Sequence, residues 1–221
     1  MSSANRLDSR LALCACFVRD GVAVADIGTD HAYLPIWLIQ NRAIKSAVAG
    51  DINKKPLDRA RVNIAENGLS EQIKVRLSNG LQDILPDEAD DIIIAGMGGE
   101  VIASIIGNCK WVKNTDKHLI LQPMSKSEEL IKFLFENNFE ILQQKCTFAG
   151  GKCYTVILCR YCGVEQEFSE VDFYRGKLDL SDENSVIFLQ RQIKKLTMKS
   201  RSDENLLKIA DKLTEMLHTQ D

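Results

Sequence analysis

Two carboxylates, a glycine and a histidine crowd into one short stretch, VADIGTDHAYLP, residues 24 to 35. Asp26, Gly28, Asp30 and His31 follow a run of small apolar residues and precede a helical pattern, which puts them at a strand-to-helix turn. In a nucleotide-binding sheet such a turn ordinarily carries glycines, because the backbone must approach a phosphate closely. Here only Gly28 fits G-x-G-x-x-G, and there is no G-x-x-x-x-G-K-[ST] loop, so dinucleotides and nucleoside triphosphates are disfavoured. Acids in place of glycines suit a ligand that presents a cation instead of a phosphate.

Three further strand ends carry polar groups: Gly50-Asp51 with Ile52, Ser78-Asn79-Gly80 with Leu81, and Ala95-Gly96-Met97-Gly98-Gly99. In an open parallel sheet, ligands sit at these carboxyl ends. S-adenosylmethionine, with an ammonium, two ribose hydroxyls and an adenine but no phosphate, matches the set. Asp26 and Asp30 would serve its charged end, Asp51 the ribose hydroxyls, and Asn79 the adenine edge, since an amide both donates and accepts. Leu81 would cover the ring. Gly96, Met97 and Gly98 would permit close backbone approach, with Met97 as a wall. Each has a plainer reading: Asp51 as a helix cap, Asn79-Gly80 as an ordinary turn, and AGMGG as a turn demanded by packing.

Strands and helices must aim those loops. Residues 5 to 18 place Leu7, Leu11, Cys14 and Val18 at helical spacing, which predicts an opening helix. VAVADIG (22 to 28), SAVAGD (46 to 51), IKVRLS (73 to 78), DDIIIAG (90 to 96) and HLILQP (118 to 123) read as short buried strands of a parallel sheet covered on both faces. Between them, Pro56 to Asn67 has proline at its start and Gly68 past its end, and SKSEELIKFLFENN has Ser125 and Glu128 at capping-box spacing. Residues 139 to 161 then hold two strand-like runs around Gly150 and Gly151, with no room for a helix, and predict an antiparallel hairpin. By fold-level analogy this predicts an α/β, Rossmann-like class I S-adenosylmethionine-dependent methyltransferase domain over residues 1 to 162, its last strand inserted antiparallel. From 163 to 221, two helical patterns beginning near Asp182 and Asp203 predict a small C-terminal helical, coiled-coil-like domain.

At 221 residues and 45% hydrophobic composition, the chain can bury a sizeable core. No apolar run approaches the ~20 residues a membrane span needs, and MSSANRLDSR lacks a signal peptide's apolar core, so a cytoplasmic address is expected. Seven cysteines, an odd number scattered through apolar segments, suit reduced thiols. Cys159 and Cys162 have C-x-x-C spacing without a second pair, so no metal is expected. The net charge of -3 does not advertise nucleic acid, but RQIKKLTMKSR (191 to 201) contains no acid. Arg191, Lys194, Lys195, Lys199 and Arg201 form either a phosphate-binding face or an ordinary solvated one.

DIGTDHAYLP, AGDINKKPL, SNGL, IAGMGGEVI, LILQP and the AGGK hairpin, in this order, resemble the bacterial tRNA (adenine-N1)-methyltransferases of the TrmK type, which modify adenine 22. The likeness is dense over residues 5 to 162 and loose beyond. It implies S-adenosylmethionine as cofactor and tRNA as partner. It also implies Asp26, Gly28 and Asp30 with His31 as the first cofactor motif, Asp51 as the ribose acid, Asn79 and Gly80 as the adenine motif, and Gly96 to Gly99 as the active-site loop. Lys55 and Ser78 stand where family members often have glycine.

Adenine N1 keeps a free in-plane lone pair at neutral pH, so attack on a sulfonium methyl needs positioning and dryness more than a base. The target base would be flipped out of its stack, with Tyr33 as wall or hydrogen-bond partner and His31 and Asp30 at the base edge. A carboxylate, Asp30 or Asp26, would stabilise the cationic product. Alternatively Tyr33 packs on the sheet and His31 caps the helix or orients Asp30. Phosphate contacts are expected from Arg6 and Arg10, one turn apart, from Lys54 and Lys55, and from the 191 to 201 cluster. Rival readings are a class I methyltransferase for another RNA, a protein or a small molecule, and a non-catalytic RNA-binding module of the same fold. A monomer and a weak dimer are equally compatible with the residues.

Overall fold

The expected alternation of strand and helix is present in the computed structural model, which describes residues 7–200 and 203–218. Arg6 and Arg201 lie outside the described residues. Five parallel strands, β1 (Ala23–Ile27), β2 (Ser46–Asp51), β3 (Ile73–Leu77), β4 (Asp91–Gly98) and β5 (His118–Ser125), alternate with helices α1 (Ser9–Phe17), α2 (Tyr33–Asn41), α3 (Lys54–Glu66), α4 (Gly99–Gly107) and α5 (Ser127–Glu136). A hairpin of β6 (Phe139–Ala149) and β7 (Lys152–Tyr161) follows, then α6 (Glu170–Arg175), α7 (Glu183–Lys199) and α8 (Glu204–His218).

The seven strands run in the order β3-β2-β1-β4-β5-β7-β6, with β7 antiparallel to both neighbours. Strand order reverses between β1 and β4, which opens a crevice at their carboxyl ends. The alternation of side chains along each strand builds two cores. Ala25, Ile27, Ile92, Ile94, Leu119 and Leu121 face Ile102 and Ile106 of α4 and Leu130 and Leu134 of α5. Val24, Ile93 and Ile120 face Cys14 and Phe17 of α1 and Leu34 and Leu38 of α2. β3 departs from the expected buried strand: as an edge with one neighbour it buries only Ile73, and Leu77 is exposed.

Local chemistry explains most boundaries. Asp8 accepts the N–H groups of Arg10 and Leu11 at 2.9 and 3.0 Å, so α1 starts at Ser9. Gly150 and Gly151 have φ of 54° and 74°, the pair of left-handed residues that a two-residue hairpin turn requires. The expected Ser125 capping box does not form. β5 runs through Ser125, and left-handed Lys126 precedes α5 without a side-chain cap. A capping box appears instead at Ser169 and Asp172, before the short α6.

Asp182 caps α7, as its position predicts. Leu189 and Leu196 of α7 pack with Ile209, Ala210 and Leu213 of α8 and with Cys146 of β6 in one cluster. The buried Gln192 amide donates to Ser127 Oγ at 3.0 Å, joining α7 to the first turn of α5. All seven cysteines are free thiols.

Candidate active site

Four strand ends converge on Gly28. The Gly28 and Thr29 N–H groups both donate to the Gly50 carbonyl, at 2.8 and 3.0 Å, hooking the turn after β1 onto the end of β2. Gly28 has φ of 78°, and a Cβ there would collide with Met97 Cε. The left-handed backbone favours glycine, and any side chain would also displace the tip of Met97. His31 and Ala32 follow with φ of 61° and 58°, two successive left-handed residues immediately before α2. Such backbone costs on the order of 1 kcal/mol per residue and needs external support. Asn63 of α3 supplies part of it, donating to the His31 carbonyl at 2.9 Å.

The His31 ring is engaged on several sides. Nε2 lies 3.1 Å from an Asp30 carboxylate oxygen and 3.4 Å from an Arg59 nitrogen, while the ring stacks on Tyr33 with centroids 5.3 Å apart. His31 therefore braces Asp30 and Tyr33. Tyr33 is 43% exposed and lines a cleft.

Two cavities meet at Gly28. The first, of about 590 Å³, is walled by Asp26, Asp30 and Tyr33 from the β1–α2 turn, by Gly96 from β4, and by Asp8 and Arg10 from the start of α1. The second, of about 410 Å³, is walled by Asp51, Ile52, Asn79 and Gly80 from the ends of β2 and β3, and by Met97 and Ile105. Both volumes lie in the range of small-molecule sites.

Asp26 is 6% exposed at the floor of the first cavity. Burial pushes its carboxyl up to about 6, with the Asp51 carboxylate adding to the rise; the Thr29 hydroxyl opposes it, although Thr29 Oγ1 lacks a partner of good hydrogen-bond geometry. Such a carboxylate is poised to gain from a cation. Asp51 accepts the Asn53 N–H at 2.6 Å through one oxygen, and the other has no hydrogen-bond partner among the described residues. Ser78 Oγ donates to the Gly80 carbonyl at 2.8 Å and accepts the Asp83 N–H at 3.1 Å, which fixes the turn presenting Asn79. Gly80, at φ of 60°, leaves room for Ile105 to close over it.

At the end of β4, Gly96 has φ of 81° and donates to Gln122 Oε1 at 3.1 Å, within a break in register against β5. A Cβ at Gly99 would collide with the Lys126 carbonyl oxygen, so this glycine answers to packing.

The structure thus gathers Asp26, Gly28, Asp51, Ile52, Asn79, Gly80 and Met97 around one crossing point, with Asp30, Tyr33 and Gly96 in the adjoining cleft. Gly98, half-buried, caps α4. Leu81 is a correction: it is 1% exposed and belongs to the core, and the apolar wall comes from Ile105, Val101 and Met97 instead. Arg10, expected as a phosphate contact, lies half-buried in the wall of the first cavity. Lys54 and Lys55 are exposed at the start of α3, and Arg191, Lys194, Lys195 and Lys199 on α7, where Arg191 stacks 5.3 Å above the Phe148 ring. Asp8, Gln122, Arg59 and Asn63 were not expected from the sequence; only Gln122 carried a signal, as the one polar residue among Leu119, Ile120, Leu121 and Pro123. Among the described residues no cluster of His, Cys, Asp or Glu is arranged to hold a metal.

The donor set fits S-adenosylmethionine. A buried, destabilised carboxylate awaits a cation, a carboxylate with an unused oxygen faces the second cavity, and Gly28 and Gly80 keep the backbone clear. A family model described as "Methyltransferase domain" matches residues 7–157. The chain is 31% identical over 209 residues to the tRNA (adenine(22)-N(1))-methyltransferase of Bacillus subtilis, covering 93% of this chain and 88% of that one. Among solved structures it is similar to a putative tRNA (m1A22) methyltransferase of Streptococcus pneumoniae in complex with S-adenosyl-L-methionine, at 34% identity and TM-score 0.84 over 96% of this chain and 100% of that one. It is also similar to TrmK of M. capricolum in complex with S-adenosyl-homocysteine, at 28% identity and TM-score 0.78 over 96% and 98% of the two chains.

Proposed function

This chain belongs to the tRNA (adenine(22)-N(1))-methyltransferase family, and from that premise we propose that it transfers the methyl group of S-adenosyl-L-methionine to N1 of adenine 22 in tRNA. The observation that carries the reading is the meeting, at Gly28, of an acidic cleft bearing Tyr33 with a cavity bearing Asp51 and Asn79.

When bound, S-adenosyl-L-methionine supplies the electrophilic methyl group. Asp51 would hold the ribose hydroxyls with its unused oxygen, and Asn79 would pair with the adenine edge. Ile105, Val101 and Met97 exclude water from the ring. Asp26, ionised at neutral pH with its carboxyl near 6, receives the ammonium.

The target base enters the first cavity, where Tyr33 walls it and the register break at Gly96 leaves room for its edge. No general base is needed, because the N1 lone pair is free; the residues contribute orientation and dryness. Methylation leaves a cation on the base, and the Asp30 carboxylate, held by His31, lies in the cleft to stabilise it.

Residues 1–162 carry the chemistry in this reading, and 163–221 form a helical appendage that grips the tRNA. Lys54 and Lys55 on α3 and Lys194 and Lys195 on α7 meet its phosphates, and the Phe148–Arg191 stack offers a platform for an unpaired base. The site of action is the cytoplasm, where tRNA is modified; no helix among the described residues is long and apolar enough to cross a membrane. Incubation with methyl-labelled S-adenosyl-L-methionine and unmodified bacterial tRNA, followed by digestion to nucleosides, should yield labelled 1-methyladenosine. Label on any other nucleoside would contradict the reading.

A further inference from the structure

Gln122 sits at the end of β5 with its side chain wholly buried, the one polar residue between Leu121 and Pro123. A buried amide is retained only where its hydrogen bonds are used. Its Oε1 accepts two of them, from the Gly96 N–H at 3.1 Å and from Arg10 Nη1 at 3.3 Å, and its Nε2 donates to the Pro123 carbonyl at 2.9 Å. One oxygen therefore joins the left-handed end of β4 to the first turn of α1.

Arg10 is held on its remaining sides as well. It pairs with Asp8 at 2.6 Å, reaches Met124 Sδ at 3.0 Å, and lies 5.5 Å above the Tyr154 ring. An arginine with this many fixed contacts has given up most of its rotamer freedom before any ligand arrives. Among the described residues Arg10 is also the one cation lining the first cavity, whose other ionisable walls are Asp8, Asp26, Asp30 and Tyr33. A nucleotide entering a cleft with three carboxylates brings its own phosphate, and that phosphate needs a counter-charge within the cleft.

We infer that Gln122 is the positioning residue of the substrate half of the site, holding the Gly96 backbone beside the target base and aiming Arg10 at that nucleotide's phosphate. The inference rests on the methyltransferase reading above and adds to it a residue and a contact. Gln122 lines neither cavity and acts through Gly96 and Arg10, which line the first and not the second.

The test compares Gln122→Met, which keeps the length but has no strong acceptor, with Gln122→Glu, whose carboxylate still accepts from Gly96 and Arg10 but loses the donation to the Pro123 carbonyl. Losing a hydrogen bond to a charged group predicts a ~10–100-fold fall in kcat/KM for tRNA in Gln122→Met. The affinity for S-adenosyl-L-methionine, measured by calorimetry, should stay unchanged, and Gln122→Glu should be clearly more active than Gln122→Met. Arg10→Ala should cost little further in the Gln122→Met background, since the two residues act as a unit. Hydrogen exchange at the Gly96 amide should be faster in Gln122→Met than in the wild type, irrespective of catalysis. A Met variant as active as the wild type, a Glu variant as damaged as the Met variant, or additive losses with Arg10→Ala would overturn the inference. Should the Met variant fail to fold, retention or loss of activity in Gln122→Glu decides it. A wild-type protein that forms no 1-methyladenosine would instead sink the parent reading, while the Gly96 exchange test would stand.

Discussion

The Cε methyl of Met97 lies over Gly28, so near that a single added carbon at residue 28 would overlap it. The contact marks the boundary between the two cavities and couples the turn after β1 to the end of β4. Gly28→Ala should therefore damage the site twice, through the left-handed backbone and through the displaced methionine. The φ of 78° alone predicts a loss of roughly 1–2 kcal/mol in stability. Thermal unfolding should show that loss, and calorimetry a fall of tenfold or more, on the order of 1.4 kcal/mol, in cofactor affinity. Adding Met97→Ala should recover part of the affinity by clearing the collision, yet none of the backbone cost.

Asp26 predicts a conflict between stability and binding. Burial raises its carboxyl from 3.8 to about 6, so in the free protein the ionised form is penalised. The penalty is absent below pH 3.8, grows as pH rises through the window up to about 6, and is full above it, at about 3 kcal/mol. Asp26→Asn should raise the melting temperature of the free protein at pH 7.5 while weakening cofactor binding. In the wild type, the rise in melting temperature caused by the cofactor should shrink as pH falls from 7.5 to 5, because the protonated acid no longer attracts an ammonium. Equal thermal shifts at both pH values would remove Asp26 from the ammonium site.

Tyr33 and His31 separate by readout. Tyr33→Ala should lower kcat by about tenfold or more with cofactor affinity intact, since Tyr33 lines the first cavity and not the second. His31→Ala should act through Tyr33 and Asp30 and lower kcat less, because it removes a stack and the Asp30 contact without emptying the cleft wall. A His31 variant that loses activity before Tyr33→Ala does would contradict the bracing role.

What the sequence disclosed, and what it hid, follows from the range of each interaction. Gly28, Asp51 and Asn79 were legible because strand ends declare themselves by the halt of an apolar run, and the hairpin because Gly150-Gly151 has no other common use. The Ser125 capping box failed because β5 captured Ser125 in pairing with Gly98, a tertiary bond that local spacing does not encode. Leu81 was misassigned because a position beside a strand end does not disclose which way its side chain points, and this one points into the core. Arg10 and Gln122 stand 112 residues apart, so their union on one oxygen had no signature in either stretch. α6, with 6 residues, is too short to show a period.

Salt should report the tRNA grip. If Lys54, Lys55, Lys194 and Lys195 neutralise phosphates, the logarithm of the affinity falls linearly with the logarithm of salt concentration, with a slope near 0.7–0.9 per contact. Replacing Lys194 and Lys195 together with alanine should weaken tRNA binding and flatten that slope by about 1–2. Cofactor affinity should not change. An unaltered slope would take the exposed face of α7 out of the interface.

Methylation at one atom of one nucleotide can be mapped on paired transcripts. A tRNA transcript with adenine at position 22, and a matched transcript with guanine there, are each incubated with the protein and methyl-labelled S-adenosyl-L-methionine. The account predicts 1-methyladenosine from the first, with reverse transcription halting at position 22, and no 1-methyladenosine from the second. Equal methylation of both transcripts, or a halt at any other adenine, would contradict it.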